Sequence, residues 1–183
     1  RLGLPRPHRR PASSLDKDAD DPYSYLVRGN ALHNAGLYDQ SILEYTRALE
    51  TDGRMTAAYL ARGASLSAQD SLDAAEQDFR RAVSLSPKDP LTHLSLVTLL
   101  TARRKYGDGL KAAIAALKAQ EDSPYAESFV KAGNLRYFVR ELDRAQENFS
   151  YALKFAPNHA SPHNGLGLCH FAKKRYEKAL ESF

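Results

Sequence analysis

One set of residues returns every 34 positions along most of this chain. YLVRGNALHNAGLYDQSILEYTRALETDG (25–53) aligns without a gap on YLARGASLSAQDSLDAAEQDFRRAVSLSP (59–87), placing Arg28-Gly29 on Arg62-Gly63, Tyr45 on Phe79 and Ala48 on Ala82. FVKAGNLRYFVRELDRAQENFSYALKFAP (129–157) repeats the register with Gly133, Ala145, Phe149, Ala152 and Pro157. HNGLGLCHFAKKRYEKALESF (163–183) follows one period later with Gly167, Ala179 and Phe183 in place. A fixed period of this length implies identical supersecondary units, each burying its apolar face against the next.

Gly63 and Gly133 stand two positions farther apart than two periods, so a third unit with an insertion of two lies between them. The expected units are 22–55, 56–89, 90–125 with the insertion near Asp122-Ser123, 126–159, and a truncated 160–183. Each reads as two helices. In the second unit Tyr59, Arg62, Gly63 and Leu66 recur at helical spacing, as do Ala75, Phe79 and Ala82 after a turn at Asp70-Ser71. Pro87 marks the end of the second helix, since it cannot donate to the preceding turn. Gly63 and Ala75 let the two helices approach while Tyr59 and Phe79 fill the space beside them.

At this point the chain closely resembles the tetratricopeptide repeat family, whose unit has this same period with small side chains, aromatics and a closing proline at these places. The resemblance covers residues 22–183. It implies an all-α fold, a right-handed α-solenoid of helix-turn-helix units, with the first helix of each pair lining a concave groove. It names no ligand, because such a fold serves many partners. Arrays of this family are frequent in cytoskeletal, ciliary and organellar assemblies, and the expected role is that of a cytoplasmic scaffold.

Unit three departs from the pattern, with Val97 where the others have Gly, Gly109 where three have Ala, and Ala113 where the others have Tyr or Phe. Its second helix is thus poorer in aromatic filling than its neighbours and is expected to form the weakest interface unless neighbouring side chains fill the volume, with amides of 107–120 exchanging faster than those of 142–155.

Charge is confined to one place. The formal net charge is +4, and Arg1, Arg6, Arg9 and Arg10 stand in residues 1–12 with no acid. Removing these four from the 26 basic side chains leaves 22 against 22 acidic ones, so any electrostatic role is assigned to residues 1–12. The Pro- and Arg-rich composition makes 1–21 a flexible basic arm. The absence of an initiator Met and the stop at Phe183, inside a helix, suggest a piece of a longer protein. No stretch has the 18 or so apolar residues of a membrane span, and the single Cys169 excludes an intrachain disulfide.

Catalytic chemistry has no visible carrier. No G-x-x-x-x-G-K-[ST] loop, G-x-G-x-x-G turn or H-E-x-x-H pair is present, so no catalytic residue, no cofactor and no metal site is expected. His159, His163, Cys169 and His170 form the one cluster with metal-ligand types, but His163 and His170 occupy places held elsewhere by packing residues. Basic runs at Arg103-Arg104-Lys105 and Lys173-Lys174-Arg175 fall at corresponding turns, where solvated loops account for them. Nucleic acid is accordingly a minor alternative, as a helical-repeat RNA binder. A regulatory array attached to an enzyme beyond Phe183 is the other.

The resemblance places the second, fifth, sixth, ninth, twelfth and thirteenth residues of each unit on the concave face. The partner-binding groove is therefore expected at Leu26, Asn30, Leu60, Ala61, Ala64, Leu91, Leu94, Thr98, Val130, Lys131, Asn134, Tyr137 and Leu168. Two known modes of the family do not match. The clamp that holds a chaperone's terminal carboxylate needs basic and amide side chains where this chain has Leu26, Ala61, Leu91 and Ser95, and only Asn30 agrees. An asparagine ladder at the sixth place is replaced by Val27, Ala61, Ser95, Lys131 and Gly165. What remains is an apolar groove flanked by amides, suited to an extended or helical segment of a protein partner. Replacing Leu60 and Leu94 together by Glu is expected to abolish capture without unfolding the array.

Overall fold

The computed structural model describes residues 21–119 and 126–183. Within them it contains ten α-helices and no strand. They are α1 (Pro22–Asn34), α2 (Tyr38–Thr51), α3 (Thr56–Ala68), α4 (Leu72–Leu85), α5 (Pro90–Ala102), α6 (Tyr106–Lys118), α7 (Ala126–Phe138), α8 (Leu142–Phe155), α9 (Ala160–Ala172) and α10 (Tyr176–Ser182). Odd-numbered helices pack on the even-numbered partner that follows and on the one that precedes, giving a single file of hairpins. Of the arm expected at 1–21, residues 1–20 lie outside the described residues, as does the insertion near Asp122-Ser123, while Asp21 belongs to the first helix as its cap.

Local chemistry sets the ends of these helices. Asp21 caps α1, its Oδ1 accepting from the backbone N–H of Tyr23 at 2.6 Å and of Ser24 at 3.3 Å, and Asp89 does the same for α5 through Leu91 at 2.9 Å. Pro22 and Pro90 occupy first-turn places whose N–H has no helical partner. The turn inside every hairpin is built alike. Gly36, Asp70, Arg104, Arg140 and Lys174 have φ of 77°, 61°, 56°, 67° and 59°. The residue after each returns its N–H to a carbonyl of the preceding helix's last turn, as Ser71 does to Leu66 at 2.9 Å and Glu141 to Arg136 at 2.8 Å. This is the left-handed helix stop, which reverses the chain within a short turn and satisfies the last carbonyls.

Within a hairpin, a glycine of the first helix receives an aromatic ring of the second. A Cβ built on Gly29 would lie 2.4 Å from the Tyr45 ring, on Gly63 2.7 Å from Phe79, on Gly133 2.6 Å from Phe149 and on Gly167 2.6 Å from Phe183. Hydrogen is thus the largest substituent these sites accept while the ring stays put. The third hairpin exchanges the two partners. Val97 and Ala113, which hold the places of the glycine and its aromatic, are buried together with Ala132 and Leu135. Bulk removed at Ala113 is supplied by Val97 and by Leu135, whose Cδ2 lies 3.3 Å from a Cβ built on Gly109. Val97 and Leu135 thus share the volume beside Ala113, and comparing amide exchange in 107–120 with that in 142–155 tests whether they fill it.

Successive hairpins are joined by a recurring polar clamp. The first residue after an odd helix reaches back to the preceding even helix: Gln69 to Asp39 at 2.7 Å, Arg103 to Asp73 and Glu76 at 2.6 Å each, and Lys173 to Asp143 and Gln146. Between the third and fourth hairpins that place holds Val139, and a Tyr106–Phe138 ring stack, centroids 4.7 Å apart, stands beside it. Glu76 is the most heavily engaged acid, accepting from Arg80, Arg103 and Lys105. The Arg80 hydrogen bond, helped by the hydrogen bond and charge of Lys105 and opposed by partial burial, holds its carboxyl below the ordinary value of 4.5. A depressed carboxylate stabilises the fold above its unfolded pKa, and that contribution is lost as pH falls through the lower folded one. Glu76→Gln should therefore reduce stability at pH 7 but little at pH 3, measured by urea unfolding at both values.

Candidate functional site

The predicted groove residues divide sharply once placed. Leu60, Ala64 and Thr98 line one pocket of about 410 Å³ between α3 and α5, together with Ser67, Leu72, Phe79, Ser95, Leu99 and Ala102. Phe79 and Leu99 of that lining belong to the buried cluster with Ala75, Leu96 and Leu100. The pocket exists because α3 carries only small side chains on this side after Leu60, so the space between the two first helices stays open. Its rim is hydroxyl-bearing. Thr98 and Ser95 donate to the carbonyls of Leu94 and Leu91, each at 2.9 Å, while the buried Ser67 Oγ has no hydrogen-bond partner among the described residues.

Other predicted residues lie elsewhere. Leu94 and Val130 are only 6% and 3% exposed. They are core residues, and the expectation that they meet a partner is corrected: the fifth place of these units turns inward. Leu26 and Tyr137 are half-buried against neighbouring core clusters. Ala61 is half-buried, Leu91 and Leu168 are exposed, and none of these three lines the pocket. Asn30 is exposed, but its Oδ1 already accepts from the Tyr45 hydroxyl at 2.9 Å, leaving the amide N–H groups for a ligand. In the fourth unit phenylalanine replaces that tyrosine, and Asn134 is exposed beside Lys131, which pairs with Glu127 at 3.3 Å. Leu72, Phe79, Leu99 and Ala102 line the pocket without being predicted to. Ala102 holds the thirteenth place and is within reach of the sequence rule; Leu72 and Phe79 come from a second helix and are not.

The histidine and cysteine cluster resolves into separate structural tasks. His159 caps α9 through Ser161 at 3.2 Å, and His163 Nε2 lies 3.0 Å from the Pro157 carbonyl, just as His93 lies 2.8 Å from that of Pro87. His170 faces Gln146. Cys169 is fully buried in the Ala145–Phe149 cluster, and burial pushes its thiol up to about 11. No group of three or more His, Cys, Asp or Glu among the described residues has the geometry to hold a metal ion. The buried, protonated thiol should resist alkylation by iodoacetamide at pH 8 in the native protein and react fully in 6 M guanidinium, as read by intact mass.

The repeat's sequence profile settles the family. The tetratricopeptide repeat model matches residues 15–90 and 130–183. The chain belongs to the tetratricopeptide repeat family. The unmatched span between those segments contains the hairpin in which the glycine and aromatic are exchanged. No curated protein matches the chain. Among solved structures, the tetratricopeptide repeat protein YrrB aligns over 92% of this chain and 86% of its own at 22% identity, with a TM-score of 0.74. MamA of Desulfovibrio magneticus RS-1 aligns over 90% and 92% at 16% identity, TM-score 0.79. Pseudomonas aeruginosa pilF aligns over 91% and 75% at 18% identity, TM-score 0.76. The fold is the right-handed α-solenoid of tetratricopeptide repeats, an architecture of protein interaction scaffolds. Among the described residues no helix is long and apolar enough to cross a membrane.

Proposed function

We propose that the chain is a non-enzymatic adaptor that captures a segment of a partner protein in its concave groove within a larger assembly. The observation carrying this reading is the open pocket bordered by Leu60, Ala64 and Thr98. Its volume suits one large apolar side chain. The N–H groups of the Asn30 amide offer a polar contact farther along the groove. An aliphatic anchor with one or two oriented amides is how shallow helical grooves gain both affinity and register. YrrB, described as having an unusual peptide-binding site, shows that a structure of this fold takes peptides. The test is peptide selection from a displayed library on the purified chain. The reading predicts winners that share a single Leu, Ile, Met or Phe and that compete with one another. Winners without a common apolar position would contradict it.

A further inference from the structure

The charge balance of residues 13–183 conceals a strong polarity. Residues 22–89 carry seven basic and nine acidic side chains, and residues 90–183 carry fourteen basic and nine acidic. The assignment of all electrostatic function to residues 1–12 therefore misses a basic half-solenoid. Its cations are not equivalent. Arg103, Lys105 and Lys173 are consumed by the clamps between hairpins. Arg104, Arg140 and Lys174 are exposed and form no ion pair among the described residues.

These three residues hold the same place in three consecutive hairpins, the left-handed turn position, with φ of 56°, 67° and 59°. Equivalent places in a solenoid line up along one edge. Glycine is the residue this backbone favours, and the first hairpin uses it at Gly36. The last three hairpins instead place a long cation on strained backbone, and a helix C-terminus rewards a positive charge only modestly. The row continues at Arg175, where Lys174, Arg175, Tyr176, Glu177 and Lys178 surround a surface depression of about 420 Å³.

We infer that this edge, running from Arg104 through Arg140 to Lys174 and Arg175, docks an acidic segment of a partner polypeptide. Two features favour polypeptide over nucleic acid. The cations come one or two per hairpin, not as a dense patch, and Glu141, Asp143 and Glu177 stand among them in the sequence. A continuous phosphate backbone meets those carboxylates and is repelled, whereas a peptide spaces its acids to avoid them. The edge lies at the hairpin turns, apart from the apolar pocket, so this inference does not depend on groove capture.

Because glycine suits the same backbone, Arg104→Gly, Arg140→Gly and Lys174→Gly together remove the charge without removing the turn. The experiment compares this triple variant with its parent, both carrying Ser at positions 1, 6, 9 and 10 so that the N-terminal arginines do not contribute. The probes are a fluorescent peptide of four Asp-Glu-Ser repeats and a uridine RNA of matching length, at 50 mM salt. The expected result is peptide binding weakened about tenfold in the variant, the sum of three exposed charge pairs, with thermal stability equal to or above the parent's. Equal peptide affinity in the two proteins overturns the inference. So does tighter binding of the RNA than of the peptide by the parent.

Discussion

Gly63→Val should destabilise the array by about 3 kcal/mol, Phe79→Ala by about as much or more, and the two together by less than either alone. The valine Cβ would stand 2.7 Å from the Phe79 ring, which is itself only 6% exposed, so the ring must leave its place and give up its packing, and the space open to it is the pocket that it walls. Removing the ring alone leaves a void beside a glycine that contributes no side chain. Combining the changes reproduces the Val97 and Ala113 arrangement that the third hairpin already uses with both residues buried. Valine is also a better helix former than glycine, which adds a few tenths of a kcal/mol in the same direction. A coupling energy of about 3 kcal/mol or more from urea unfolding of the four proteins would establish the exchange. Simple additivity would show that the third hairpin is tolerated for some other reason.

That exchange shows where reading from sequence succeeds and where it stops. The repeat period, the helix pairs and the turn at Asp70-Ser71 are all legible, because helix periodicity and turn residues are local properties. Val97 and Ala113 are each visible as departures. Their compensation is not, since it depends on which atoms share a volume. The groove has the same division. Counting places along the unit finds Leu60, Ala64 and Thr98 but also nominates Leu94 and Val130, which the superhelix turns into the core. In sequence Phe79 reads as a packing residue only, although its ring both fills the Gly63 site and forms part of the pocket wall. The charge sum is correct over residues 13–183 and misleading about the two halves of the array, because a total carries no position.

The burial of Leu94 also separates two substitutions that sequence treats as equals. Leu60→Glu places a carboxylate at the mouth of the pocket, where solvent reaches it, and should weaken binding of a selected peptide about a hundredfold while leaving the fold intact. The loss combines the anchor's lost apolar contact with the cost of drying the new charge. Leu94→Glu forces the carboxylate into a site that is 6% exposed and should lower stability by about 3 kcal/mol or more. The double replacement therefore reports on folding as much as on capture. Circular dichroism melts beside titrations of both single variants distinguish the two outcomes, and equal melting temperatures would contradict the assignment of Leu94 to the core.

Groove capture is tested most directly by a photo-cross-linking residue at position 64, in the pocket wall, compared with one at position 77, on the exposed side of α4. Each protein is irradiated with the same selected peptide and the adduct mapped by mass spectrometry. The account predicts an adduct from position 64 that joins the peptide's apolar anchor or its neighbour, and none from position 77. Adducts from position 77 with none from position 64 would place the partner on the convex face and contradict it.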